Sequence, residues 1–296
     1  MHQKVAEELL EFMEYSGKSR QQIAKETGLS SSVISQFLNM KYTGDNEEIA
    51  RILKNYLKIA KERVSINNRT RFYERLTNTE KVRFACTYAH ARNDITLVYG
   101  DAGAGKTTAL EYYRDTHAGV VMVTANSCTA SASAVLKLIS QKIGKTITGK
   151  KDDMMNEIVH YFKGTNRLLI IDEADHLTLA ALQAVRNLND EAKIGIVLAG
   201  NSKIYNQMLI GSKSSELQQL KTRIVVRRKV ENLYTLEEFR HIFPDIADEC
   251  LGFLMEIAQE ESLRTAVKIL NLLYDVSDKI TLKDLNKKRL ELTEGL

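Results

Sequence analysis

No apolar run in this chain approaches the roughly 20 residues needed to span a bilayer. The N-terminal stretch MHQKVAEELLEF is charged and amphipathic rather than a secretory signal, so a cytoplasmic protein with no membrane partner is expected. Cysteine is scarce. Cys86, Cys128 and Cys250 are widely separated and odd in number, which indicates neither a disulfide framework nor a zinc site and points to reduced, packed thiols. Proline occurs once, at Pro244, where it is expected to open a helix. No internal repeat, low-complexity tract or disorder signal stands out. Excess charge is lacking too: 42 Lys and Arg against 38 Asp and Glu leave a formal +4, too mild to imply a nucleic-acid partner by itself. Any such partner must be argued from where the charges sit. The 296 residues suffice for one large or two to three smaller domains with ordinary cores.

What is present is organised around Ile95 to Leu110, ITLVYGDAGAGKTTAL. A short apolar run is followed by Gly100, Asp101, Ala102, Gly103, Ala104, Gly105, Lys106 and Thr107, the full G-x-x-x-x-G-K-[ST] spacing in strand-then-helix context. This predicts a phosphate-binding loop. The small residues let backbone N–H groups from Gly103 to Thr108 converge on phosphates at the positive end of the next helix. Lys106 would reach the β and γ phosphates, and the Thr107 hydroxyl would take a place on Mg²⁺.

Ahead of this loop the pattern is helical. Val5, Leu9, Leu10, Phe12 and Met13 recur at helical spacing up to Ser16-Gly17. Ser19 to Thr27 and Ser31 to Leu38 then flank Gly28-Leu29-Ser30, with Ala24, Gly28 and Ile34 spaced as in a helix-turn-helix. Its second helix would present Ser31, Ser32, Ser35, Gln36 and Asn39 to DNA, with Lys41 and Tyr42 placed to meet phosphate. So serine-rich a face promises little sequence selectivity, and a helical bundle for protein contacts is the bland alternative. Asp45 and Glu48 form a capping box for a fourth helix whose apolar stripe ends at Ala60. From Lys61 to Asn78, with Arg63, Arg69, Arg71 and Arg75, the chain turns polar and basic. This is a linker, either a solvated tether or an arm along a phosphate backbone.

Beyond the loop, apolar runs at Val120 to Thr124, Leu168 to Asp172, Ile194 to Ala199 and Ile224 to Val230 alternate with helical stretches. That alternation predicts a largely parallel α/β sheet. After Thr235 the signal is helical to the end, a small helical domain in which Ser262 and Thr281 begin the last two helices.

The run Leu168-Leu169-Ile170-Ile171-Asp172-Glu173 ends in two carboxylates at a strand's carboxyl end, where ligands of α/β sheets sit. Asp172 would hold Mg²⁺ through water, and Glu173 would orient the attacking water. Asn201, ending a later strand, would help position that water or simply cap a turn. Arg223, Arg227 and Arg228 are candidates for a guanidinium reaching a phosphate on a neighbouring subunit, with solvated or DNA-facing roles as the alternative. Arg264 would reach the nucleotide from the helical tail. Asp172 to Asp175 spell DEAD, but an RNA helicase needs a second α/β lobe, and the residues after Val230 are helical and too few. Lys142, Lys145, Lys150 and Lys151, with Lys203 and Lys213, form basic clusters that an oligomer would repeat along DNA, with an ordinary soluble surface as the alternative.

Taken together, GDAGAGKT, LLIIDEADHL, IGIVLAGN and KTRIVVRR resemble, in order, the motifs of the AAA+ ATPases of DNA transposition. KETGLSSSVISQFLNMKYTGDNE is similar to that family's helix-turn-helix region. The resemblance implies an ATP-dependent, largely non-sequence-specific protein that polymerises on double-stranded target DNA, delivers it to a transposase and stimulates strand transfer. It also implies that hydrolysis stimulated by DNA and transposase clears DNA near the element's ends. Carried over by position, Lys106 and Thr107 become Walker A, Asp172 and Glu173 Walker B, Asn201 sensor 1, Arg223 the arginine finger and Arg264 the lid arginine. Ser262, however, stands where that family often has glycine.

The expected fold is therefore an α/β AAA+ P-loop core at 79–230, preceded by a helix-turn-helix domain at 1–62 and a basic linker at 63–78. A helical lid at 231–296 would complete it. The expected cofactors are ATP and Mg²⁺, and the expected state is a homo-oligomeric filament or ring. Two other functions fit the same motifs: a nucleotide-sensing transcription regulator that reads one operator, and a replicative helicase loader.

Overall fold

The computed structural model describes residues 2–69, 74–145, 150–206, 218–274, 277 and 279–293. Of the basic residues named above, Arg71 and Lys213 lie outside the described residues, as do the side chains of Lys61, Arg63 and Arg69. The chain divides into two units, Met1–Arg71 with Leu270–Leu296, and Phe72–Ile269.

The first unit opens with α1 (His2–Ser16), α2 (Arg20–Thr27), α3 (Ser31–Leu38) and α4 (Asn46–Arg69). Local chemistry sets their ends. Ser19 caps α2 by a reciprocal pair: the Gln22 N–H donates to Ser19 Oγ at 3.3 Å, and the Ser19 N–H donates to Gln22 Oε1 at 2.8 Å. Gly28 then adopts φ +75°, a left-handed turn that glycine enters without steric cost. Ser30 caps α3 through the Val33 N–H at 3.2 Å. Asp45 Oδ1 accepts both the Glu47 and Glu48 N–H groups at 3.0 Å to start α4. Leu9, Ile23, Ile34, Phe37 and Leu53 form the fully buried centre. α4 continues through the first half of the expected linker. Its apolar stripe stops at Ala60, but residues 61–69 contain no glycine or proline to break the helix.

In the second unit, α5 (Thr77–Arg92) leads to β1 (Ile95–Gly100) and α6 (Lys106–Thr116), then β2 (Val120–Thr124), α7 (Ala132–Lys142) and α8 (Lys151–Phe162). β3 (Leu168–Asp172), a 3₁₀ turn (Ala174–His176), α9 (Leu179–Ala192), β4 (Gly195–Gly200) and α10 (Ser202–Tyr205) follow. Next come α11 (Gln218–Arg223), β5 (Ile224–Val230), α12 (Leu236–Ile242), α13 (Asp248–Glu260) and α14 (Leu263–Tyr274), which runs to the boundary between units and past it. α15 (Leu282–Thr293) falls in the first unit.

The sheet has the order β2-β3-β4-β1-β5, with every neighbouring pair parallel. Both faces are covered, as a parallel sheet requires. Leu97, Leu169, Ile171, Ile196 and Leu198 pack with Leu136, Ile158, Phe162 and Val185 on one face. On the other, Val98, Ile170, Val197 and Ala199 pack with Ala85, Cys86 and Leu110. Each fully buried aliphatic side chain contributes roughly 1.5–3 kcal/mol. The central strands β1, β3 and β4 are accordingly the fixed frame from which site loops project.

A second boundary differs from expectation. Pro244 does not open a helix: α13 begins at Asp248, and Pro244 sits in the turn after α12. The Ile246 N–H closes that turn on Phe243 O at 3.3 Å, and Asp248 and Glu249 supply the acidic first turn that favours a helix start.

Candidate nucleotide-binding site

The turn between β1 and α6 is held from outside by the end of β5. Gly100 takes φ +138°, and a Cβ there would lie 1.9 Å from Val230 O, so only glycine fits against that carbonyl. The Asp101 N–H then donates to Val230 O at 3.0 Å. Asp101 Oδ2 accepts the Asn232 N–H at 3.0 Å, and the Asn232 carboxamide donates to Ala102 O at 3.2 Å. Ala104 is buried, and Gly105 caps α6 with φ +87°. Residues Gly100 to Thr108 thus form a fixed turn at a helix N-terminus, the arrangement that binds phosphate. Within it, Lys106 Nζ donates to Gly100 O at 3.0 Å and Asp101 O at 2.7 Å. Burial lowers the Lys106 pKa, against the pull of Asp172 and Glu173.

Thr107, on the first turn of α6, meets the end of β3. Its hydroxyl donates to Asp172 Oδ2 at 2.7 Å, and Asp172 is only 1% exposed. A hydroxyl and a carboxylate so joined are hard oxygen donors suited to Mg²⁺, which prefers a few protein oxygens and completes its shell with water and phosphate. Asp172 Oδ1 accepts the Glu173 N–H at 3.0 Å. Glu173 itself has φ +53°, a left-handed backbone uncommon for a side-chain-bearing residue and concentrated at functional sites. Glu173, Asp175 and His176 bring ligand-type atoms within 4.8 Å of one another.

Other candidates divide. Arg264 is brought to the loop: a Cβ on Gly103, whose φ is +72°, would lie 3.3 Å from Arg264 Cβ and 2.6 Å from Ser262 Cβ. Ser262 begins α14 by accepting the Thr265 N–H at 3.1 Å, so this helix start rests on the phosphate loop. Asn201 lies at the end of β4 with both ends of its carboxamide engaged inside the chain, one of them capping α10. Arg223 is not brought to the loop by any described contact. It pairs with Asp190 of α9 at 2.9 Å. Arg227 is exposed on the edge strand β5, and the Arg228 guanidinium lies 4.4 Å above the Phe84 ring.

In the first unit, Ser31, Ser32, Gln36, Asn39 and Lys41 are exposed and Ser35 is half-buried, on the side of α3 away from buried Ile34 and Phe37. Lys150 and Lys151 are exposed at the start of α8. Sequence reasoning missed Asn232 and Asp175. Asn232 carries no local signal. Asp175 was visible as a carboxylate between Ala174 and a turn into apolar Leu177, a pattern that asks where its buried charge is satisfied.

Residues 89–208 match the model of an AAA domain. The chain is 32% identical over 253 residues to the ATP-dependent target DNA activator B of Escherichia phage Mu, covering 84% of this chain and 80% of that protein. It belongs to that AAA+ family. A further B-family relative, the Mu-like prophage FluMu DNA transposition protein B of Haemophilus influenzae, is 33% identical over 213 residues, covering 71% of this chain and 74% of that protein. A solved structure of Drosophila ORC bound to DNA aligns with a TM-score of 0.50 at 13% identity, covering 73% of this chain and 61% of that one. That likeness is one of fold.

Proposed function

We propose that this B-family protein is an ATP-dependent DNA-binding ATPase that assembles on target DNA, presents it to a transposase and stimulates transposition. The observation that carries the reading is the joining of the Walker A hydroxyl to the Walker B carboxylate, Thr107 to Asp172 at 2.7 Å, in a chain whose relatives are named as target DNA activators. Lys106 and the loop amides bind the triphosphate. Thr107 and Asp172 would hold Mg²⁺, which would supply charge neutralisation for the phosphates. Glu173 orients the attacking water, since phosphoryl transfer asks for positioning and charge stabilisation more than covalent help. Arg264, beside the loop, faces the nucleotide from α14. The exposed face of α3 with Lys41, together with Lys150 and Lys151, contacts the phosphate backbone of duplex DNA.

Nucleotide bound between copies favours the assembled state, and hydrolysis releases it, because a ligand that binds one state preferentially stabilises that state. A guanidinium from a neighbouring copy would complete each site, with Arg223 the candidate once its Asp190 partner is exchanged. The test is electron microscopy and light scattering of protein, ATP, Mg²⁺ and arbitrary duplex DNA. Glu173→Gln should give persistent DNA-bound assemblies and Lys106→Ala none. Equal DNA affinity with and without ATP would count against the scheme.

A further inference from the structure

β3 and β4 are paired neighbours, and their carboxyl ends part where β3 stops at Asp172 while β4 runs on to Gly200. The 3₁₀ turn Ala174–His176 follows β3 and contacts β4. Asp175, 4% exposed, lays its carboxylate over the end of β4. Oδ1 accepts the Asn201 backbone N–H at 3.1 Å, and Oδ2 accepts the Asn201 carboxamide N–H at 2.7 Å. A buried carboxylate persists only where donors satisfy it, and here one residue supplies a donor to each oxygen. The carboxamide oxygen of Asn201 is committed as well, accepting the Lys203 N–H at 2.8 Å. Shape reinforces the contact: a Cβ on Gly200 would lie 2.5 Å from Asp175 Oδ1.

The other end of the same turn carries Glu173, whose N–H is tied to Asp172 Oδ1 at 3.0 Å and whose backbone is left-handed. Glu173 therefore sits between two anchors. One is the end of β3; the other is the Asp175–Asn201 clamp.

We infer that Asp175 is a positioning residue for ATP hydrolysis, fixing the turn that carries Glu173 to the start of α10 through Asn201. The inference rests on the ATPase reading above. In this arrangement Asn201 influences the reaction by holding Asp175, and hence the Glu173 turn, in place. A lateral error of about 1 Å at a positioned catalytic group costs on the order of a hundredfold in rate. A clamp of this kind therefore acts on turnover and leaves nucleotide binding, which belongs to the β1–α6 loop, largely alone.

The experiment measures steady-state ATP hydrolysis and fluorescent-nucleotide affinity for the full chain and for Asp175→Asn, Gly200→Ala, Asn201→Ala and the Asp175→Asn/Asn201→Ala double variant. Asp175→Asn keeps the size of the side chain but sets an amide against the Asn201 amide. Gly200→Ala removes no polar group and displaces the carboxylate sterically, so it gives the same reading should Asp175→Asn fail to fold. Both variants should lose roughly tenfold to a hundredfold in kcat, with nucleotide affinity held within about threefold. On the Asn201→Ala background, Asp175→Asn should add less than about twofold, because the two residues act as one unit. Full kcat in both Asp175→Asn and Gly200→Ala, or losses that multiply in the double variant, would overturn the inference while an active parent keeps the ATPase reading intact. A parent that hydrolyses no ATP overturns both.

Discussion

Thr107 and Asp172 are joined by a 2.7 Å hydrogen bond although the strands that lead to them, β1 and β3, are separated in the sheet by β4. If this pair holds Mg²⁺, removing either oxygen should raise the Mg²⁺ concentration needed for hydrolysis. Thr107→Ala and Asp172→Asn should each lower kcat by roughly a hundredfold or more, the scale seen when one preorganised electrostatic contact is lost. Phosphate release followed across a Mg²⁺ titration checks this. An unchanged Mg²⁺ requirement in both variants would remove the pair from the metal.

The contact between Gly103 and Ser262 leads to a compensation experiment. Gly103→Ala would cost roughly 1–2 kcal/mol for the left-handed backbone alone, with a further steric cost from a Cβ placed 2.6 Å from Ser262 Cβ. Ser262→Gly removes the obstruction, and a Ser-to-Gly change at a helix cap costs only a few tenths of a kcal/mol. The double variant should regain the steric part of the loss and keep the backbone part. Thermal unfolding of the four proteins reads it; strict additivity would show that the helix start does not bear on the loop.

A pH effect is expected from Glu238, which is buried in the second unit and links two helix starts. Oε1 accepts the Thr77 N–H at 2.7 Å and Oε2 the Thr235 N–H at 2.8 Å. Burial pushes the carboxyl up, but the Thr235 and Thr77 donors together outweigh it, and Glu238 titrates below the ordinary glutamate value. A depressed carboxylate contributes stability that is present above the unfolded value and disappears as pH falls through the folded one. Glu238→Gln should therefore destabilise the protein near neutrality by roughly 1.5–3 kcal/mol, the range for hydrogen bonds to a charged group. Melting curves of both proteins from about pH 7 down to about pH 3 should converge at the acid end. A constant gap would contradict this.

On α3, the exposed groups are serines, a glutamine and an asparagine, with Lys41 beyond the helix, and Asn39 already spends a donor on Ser35 O at 2.8 Å. Lys41→Ala should weaken binding to unrelated duplexes alike and reduce the salt slope by about one. Fluorescence anisotropy over several KCl concentrations measures both. A preference of roughly a thousandfold for one duplex would point instead to an operator-reading regulator.

The phosphate loop was legible in sequence because its chemistry is local: glycine spacing, a lysine and a hydroxyl within one turn. The strands were legible because Leu168 to Ile171 and Ile196 to Ala199 are buried on both faces and so read as unbroken apolar runs. The far end of α4 was not legible because the chain turns polar and basic after Ala60, whereas lysine, glutamate and arginine are good helix formers and carry a helix onward. The bonding of Asn201 was not legible. Which group its carboxamide meets depends on a turn from another strand, and no spacing within IGIVLAGN encodes Asp175. Arg223 shows the same limit, since its partner Asp190 comes from a separate helix.

The central place of β4 has a consequence for how the chain tolerates change. Ile196 and Leu198 point to one side of the sheet, Val197 and Ala199 to the other. A single inserted or deleted residue within the strand would exchange those sides and shift Asn201 relative to both flanking strands at once. Length variation among natural or engineered versions should thus collect in the connections around this strand and spare its interior, since no compensating change confined to one neighbour could restore both alignments.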